Sequence, residues 1–195
     1  MKIIISDNVK LELDRMQFNI RKSIDSILRY IPKRDIIRLG YFLITDLPLK
    51  RKAYNHNALG AYFKWKNDRE AYIELYIKNL FGHLASPDSL QQMLPIQELG
   101  LAQTIYHEVG HHVRETRTHG QKKIRSENFA ESYMKKALSR YILDNSKSIN
   151  KCFDYLKSIV NEKGLSLDVI NNMEAGWDRK YKEALLLTVT KRRST

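Results

Sequence analysis

His107-Glu108-Val109-Gly110-His111 is the stretch from which the rest of this chain is read. On a helix, residues four apart share a face, so His107 and His111 can direct two imidazoles at one metal ion. Glu108 lies about 100° round from His107 by the 3.6-residue period. From there it can reach a water beside the metal without being a ligand, which is the arrangement a zinc hydrolase needs. Chance would produce this motif in a chain of the same composition only about 0.01 times. Its setting is also helical. Leu99, Ala102, Ile105 or Tyr106, Val109 and Val113 recur every three or four residues as one apolar stripe, and the two histidines border it.

A catalytic zinc needs a third protein ligand and an open fourth position. The metzincin spacing would require Gly at position 114 and His at 117. The chain has Arg114 and Arg117 there, so that pattern is excluded. His119 stands beside Gly120 and reads as a loop residue. Glu127 is the better candidate, in Ser126-Glu127-Asn128-Phe129-Ala130-Glu131-Ser132-Tyr133. This segment opens a second helical pattern, with Phe129, Ala130, Tyr133, Met134, Ala137, Leu138 and Tyr141 on its apolar side. Glu127, Ala130 and Glu131 share one face. Ala130 and Gly110 are small enough to let the two helices approach closely, which accounts for a mid-helix glycine that costs about 1 kcal/mol relative to alanine.

HExxH followed by a Glu-x-x-Ala-Glu helix resembles the gluzincin branch of zinc metallopeptidases, in particular the ImmA/IrrE-type peptidases and small minigluzincins. The resemblance covers about residues 59–143. It implies a zincin-like α+β fold with a zinc ion held by His107, His111 and Glu127, and Glu108 as general base. It also implies Glu131 as the carboxylate that receives the free N–H of His107, since ligating imidazoles usually donate their other nitrogen to such a group. The family often carries Asn where Glu131 stands. The substrate implied is a peptide or protein.

The chain has 195 residues, 43% hydrophobic and 29% charged, enough for one well-cored domain. The domain expected is 1–143, with 144–195 as a helical extension packed on it. No apolar run reaches the roughly 18 residues of a membrane span. Met1-Lys2-Ile3-Ile4-Ile5 gives way at once to Ser6-Asp7-Asn8, too short an apolar core for a secretory signal. With a single cysteine, Cys152, which reads as structural, the compartment expected is the cytoplasm.

The net charge is +12. Its densest basic clusters are Lys122-Lys123-Ile124-Arg125 and Lys191-Arg192-Arg193. Such a balance is compatible with an acidic partner or nucleic acid. However, no helix-turn-helix signature, Cys/His finger, aromatic RNA-binding motif or phosphate loop accompanies it. Two rivals to the peptidase reading follow: a zinc-binding interaction module without catalysis, and a basic nucleic-acid-binding protein.

Along the chain, residues 2–6 form a short strand and Val9–Ile31 a helix stopped by Pro32. Ile36–Thr45 is a central strand, and residues 49–58 are a basic loop holding His56. Ala58–Trp65 and Ala71–Asn79 then form a hairpin around Lys66-Asn67-Asp68-Arg69. The sheet expected is small and mostly antiparallel. The resemblance implies that Ala71–Asn79 is an exposed edge strand before the active-site helix, where it aligns substrate. Pro87 and Pro95 mark a loop, and helices are expected near 97–116, 126–143, 147–162 and 166–190, with Gly164 separating the last two. An oxyanion donor could be Tyr72, Tyr76, His83 or His112. His112 points away from the ligand pair, which fits a packing role.

Overall fold

A computed structural model describes residues 1–46, 57–64, 70–81, 87–117 and 123–192. The chain opens with strand β1 (Lys2–Ile5), helix α1 (Asp7–Arg15) and helix α2 (Ile20–Leu28). The single helix expected over Val9–Ile31 is therefore two. Gln17 takes a left-handed φ of 53°, and Asn19 restarts the helix by accepting the Lys22 amide at 3.0 Å. Between them Phe18 is buried and meets Phe81 edge-on at 5.1 Å, so the break lets a ring enter the core. Leu11, which the periodicity counts as apolar stripe, is exposed.

A 3₁₀ turn at Lys33–Ile36 leads into β2 (Leu39–Thr45), followed by β3 (Gly60–Phe63) and β4 (Ala71–Tyr76). The strand order is β1-β2-β4-β3. The pairs β1–β2 and β2–β4 are parallel, and β3–β4 is antiparallel. The expectation of a mostly antiparallel sheet is thus corrected to a mixed one. Helices α1 and α2 supply the crossover that the parallel β1–β2 pair requires.

The edge strand is corrected as well. β4 lies inside the sheet between β2 and β3, and β3 is the free edge on this side. β4 stops at Tyr76, where Ile77–Phe81 winds into the short helix α3. Its polar Glu74 is buried and accepts the Tyr76 hydroxyl at 2.8 Å.

Three long helices follow: α4 (Pro87–Arg117), α5 (Lys123–Glu162) and α6 (Asp168–Arg192). Helix α4 begins well before residue 97 and takes in both prolines. Pro87 heads it, where a missing N–H costs nothing. Pro95 lies inside, and there the Cys152 thiol donates to the Gln92 carbonyl at 3.0 Å and receives the Ile96 amide, so groups beside the interruption are satisfied from α5.

Helix α5 fuses the two helices expected at 126–143 and 147–162. The polar run Asp144-Asn145-Ser146 reads as a break, yet Asn145 donates to the Tyr141 carbonyl at 2.8 Å and Ser146 to the Leu143 carbonyl at 3.1 Å. These side chains bond back along their own helix instead of capping a new one. The boundary expected at 143/144 therefore falls within one unbroken helix. Ile149, Phe153, Ile170 and Trp177 belong to the same core cluster as the sheet. Gly164, at φ +62°, does end α5, with the Leu165 amide on the Val160 carbonyl at 3.0 Å. Among the described residues no helix is long and apolar enough to cross a membrane.

Candidate metal centre

Leu101, Ala102, Ile105, Tyr106 and Val109 fix the rotation of α4, because all five are fully enclosed. That orientation puts His107 and His111 at the rim of the core, with side chains 27% and 16% exposed. Helix α5 crosses at Gly110, where a Cβ would stand 2.7 Å from the Ala130 Cα. The close approach expected of this pair is present, and it carries Glu127 to the histidines.

The donor atoms converge. Nε2 of His107 and Nε2 of His111 are 3.1 Å apart, and Glu127 Oε2 lies 3.5 and 3.6 Å from them. Donors each 2.0–2.1 Å from a tetrahedral ion stand about 3.3–3.4 Å from one another. Two imidazoles and a carboxylate at these separations fit a divalent cation, and the three form a group that could hold one. Burial, His107 and Arg114 together hold the His111 imidazole below its ordinary pKa, against the pull of Glu127. The ring is thereby kept in the neutral form that binds metal.

Glu108 meets β3 and lines the same cleft as the two histidines. It is 8% exposed, and burial pushes its carboxyl up to about 7; the Glu127 charge adds to the rise and the Tyr62 amide opposes it. That amide is available because of the β3 ladder. Leu59, Ala61 and Phe63 pair toward β4, leaving the backbone groups of Gly60 and Tyr62 on the free edge. A cleft of about 1190 Å³ runs between this edge and α4, lined by Gly60, Tyr62, His107, Glu108, His111 and Glu127 among others.

The chain matches no family model, no curated protein and no solved structure. Its chemistry rests on the residues themselves.

Glu131 does not join the cluster: it pairs with Lys135 at 3.4 Å and is half-exposed, and no hydrogen bond to His107 is seen among the described residues. The outer nitrogen that does find a partner belongs to His111, whose Nδ1 lies 3.0 Å from Ser126 Oγ.

His112 is buried and its ring bonds away from the His107–His111 pair, as its position predicts. Its Nε2 lies 2.8 Å from the Ile37 carbonyl, which can only accept, so Nδ1 accepts from the Tyr62 hydroxyl at 3.3 Å. Tyr72 is stacked between Tyr41 and Phe63, and Tyr76 is engaged with Glu74, so neither is aimed at the centre. His56, His83 and His119 lie outside the described residues, as does the hairpin turn.

Tyr62 and Ser126 are the two site residues that sequence reasoning missed. Tyr62 had a faint signal, alternating with Ala61 and Phe63 on a strand; Ser126 had only its place beside Glu127.

Proposed function

We propose that this chain is a zinc-dependent metallopeptidase of zincin-like fold, with His107, His111 and Glu127 as ligands and Glu108 as general base. The observation that carries the reading is the set of three donor separations, which bracket the edge of a zinc tetrahedron. Zinc bound there would supply Lewis acidity to a peptide carbonyl and acidify a water.

Glu108 does the proton work. A carboxyl with a pKa pushed up to about 7 is poised to take a proton from the attacking water and give it to the departing amine. The Tyr62 amide holds that carboxylate in place. An extended peptide would pair with the outward backbone groups of β3 other than the Tyr62 amide, which Glu108 occupies, so the strand that aligns substrate is β3 and not β4. His107 and His111, shielded on one side by the core, would hold the ion at the wall of the cleft, where a peptide carbonyl could reach it.

The cleft of about 1190 Å³ favours this reading over a non-catalytic zinc module, which would have its metal closed off from an extended chain. The deciding experiment is metal analysis of protein purified without chelators, beside cleavage of a mixed peptide library. One equivalent of zinc and cleavage that Glu108→Gln abolishes are expected. Zinc-free protein, or a Glu108→Gln variant that cleaves at the parental rate, overturns the proposal.

A further inference from the structure

Ser126 sits one residue before Glu127 and its side chain is turned to the opposite end of the same imidazole. Its Oγ is 3.0 Å from His111 Nδ1. An imidazole that offers the Nε2 lone pair to a cation must carry its proton on Nδ1. That N–H then needs an acceptor, and the His111 side chain, 16% exposed, has little access to water. The Ser126 hydroxyl is the oxygen in reach. Glu131, the carboxylate expected to accept from His107, is paired with Lys135.

We infer that Ser126 is the positioning residue of the metal centre: it accepts the Nδ1–H of His111, sets the tautomer and the ring rotation, and thereby sets the affinity for a divalent cation. This rests on the metal-ligand reading above. The placement has a simple origin. Ser126 and Glu127 are consecutive on α5, so one docking of that helix against Gly110 delivers a ligand to the inner face of the site and an acceptor to its outer face. A hydroxyl is a weaker acceptor than a carboxylate, since charge-assisted hydrogen bonds are about twice as strong. The centre is thus tuned below the affinity that an aspartate at 126 would give.

The test is zinc titration against a chromophoric chelator, with the visible spectrum of the cobalt-substituted protein and the melting temperature of the metal-free protein. Wild type is expected to bind one equivalent. Ser126→Ala is expected to bind about 10–100-fold more weakly, the usual cost of losing an outer partner, with an altered cobalt spectrum and an unchanged melting temperature. Ser126→Thr, which keeps the hydroxyl, is expected to restore affinity, and Ser126→Asp to equal or exceed wild type.

If wild type binds zinc and Ser126→Ala binds it as tightly, the role of Ser126 is overturned while the centre stands. That role is equally overturned if affinity falls only alongside the melting temperature and Ser126→Thr fails to restore it. If wild type itself binds no zinc, both readings fall together.

Discussion

Gly110 of α4 lies so close to Ala130 of α5 that a methyl on Gly110 would stand 2.7 Å from the Ala130 Cα and 3.0 Å from its carbonyl oxygen. Both neighbours are backbone, so the helices would have to separate. Gly110→Ala is expected to destabilise by about 1–3 kcal/mol, the usual cost of overpacking, despite alanine's better helix propensity. It is also expected to weaken zinc binding, because Glu127 moves with α5. Gly100 is the control, since a Cβ there meets nothing within 4 Å. Gly100→Ala is expected to stabilise by about 0.5–1 kcal/mol. Urea unfolding of both variants checks the pair, and similar effects at the two sites would remove the argument from close approach.

Glu108 makes the metal-free fold pH-dependent. Its carboxyl is raised to about 7 by burial, so the native state holds the proton more tightly than the unfolded chain. The cost of burying the charge is absent at low pH, grows as pH rises from about 4.5 to about 7, and is complete above that. At one pKa unit per 1.36 kcal/mol, it reaches about 3 kcal/mol at most. Glu108→Gln is therefore expected to stabilise the chelator-treated protein at about pH 8 and to have little effect at about pH 4.5. A variant whose advantage is the same at both values would show that burial of the charge is not the cause.

Asp35 ties three elements together at the base of the site. It accepts from Arg117 at the end of α4 and from the Tyr133 hydroxyl of α5 at 2.9 Å, and it is buried in the turn before β2. Asp35→Ala leaves the Tyr133 hydroxyl without its acceptor, while the half-exposed Arg117 can turn to water, and is expected to cost about 1–3 kcal/mol. Tyr133→Phe, which removes one hydroxyl, is expected to cost about 0.5–1.5 kcal/mol. Thermal or denaturant unfolding measures both, and the ranking Tyr133→Phe above Asp35→Ala in severity would contradict this account.

On the proposed reading, Glu127→Ala removes a ligand and not merely its support. It is expected to lower zinc affinity by more than the roughly 10–100-fold that an outer partner contributes. Because Glu127 is 55% exposed, the stability of the metal-free protein should barely change. Competition titration and a melting curve separate these effects, and a large loss of stability with intact zinc binding would move Glu127 out of the ligand set.

The convergence of His107, His111 and Glu127 was legible because each part of it obeys a helical rule: an i, i+4 pair, then a carboxylate opening the next amphipathic run with a small residue at the crossing. Strand order and direction were not legible, since alternation in β4 marks a half-buried strand whichever way its neighbours run. Reading β4 as the edge came from the family resemblance, and its own residues did not contradict it. The break at Gln17 was hidden because Met16, Phe18 and Ile20 carry apolar character straight across it, although Asn19 was a capping residue in plain view. At Asp144-Asn145-Ser146 the error ran the other way, since polar side chains can bond to their own helix as well as interrupt it. Ser126 carried no periodic signal at all. Its importance lies in a contact between two helices.

Helix α5 runs unbroken for 40 residues, about 60 Å at 1.5 Å per residue. Its first turns present Glu127, and its far half is gripped by α6 through Lys157–Glu174 at 2.5 Å and Trp177–Asn150 at 2.7 Å. With no joint between the two ends, both belong to one rod that passes Gly110 at close quarters. Glu127 thus meets the two histidines from a separate helix, and its distance from them is set by how the whole rod is seated.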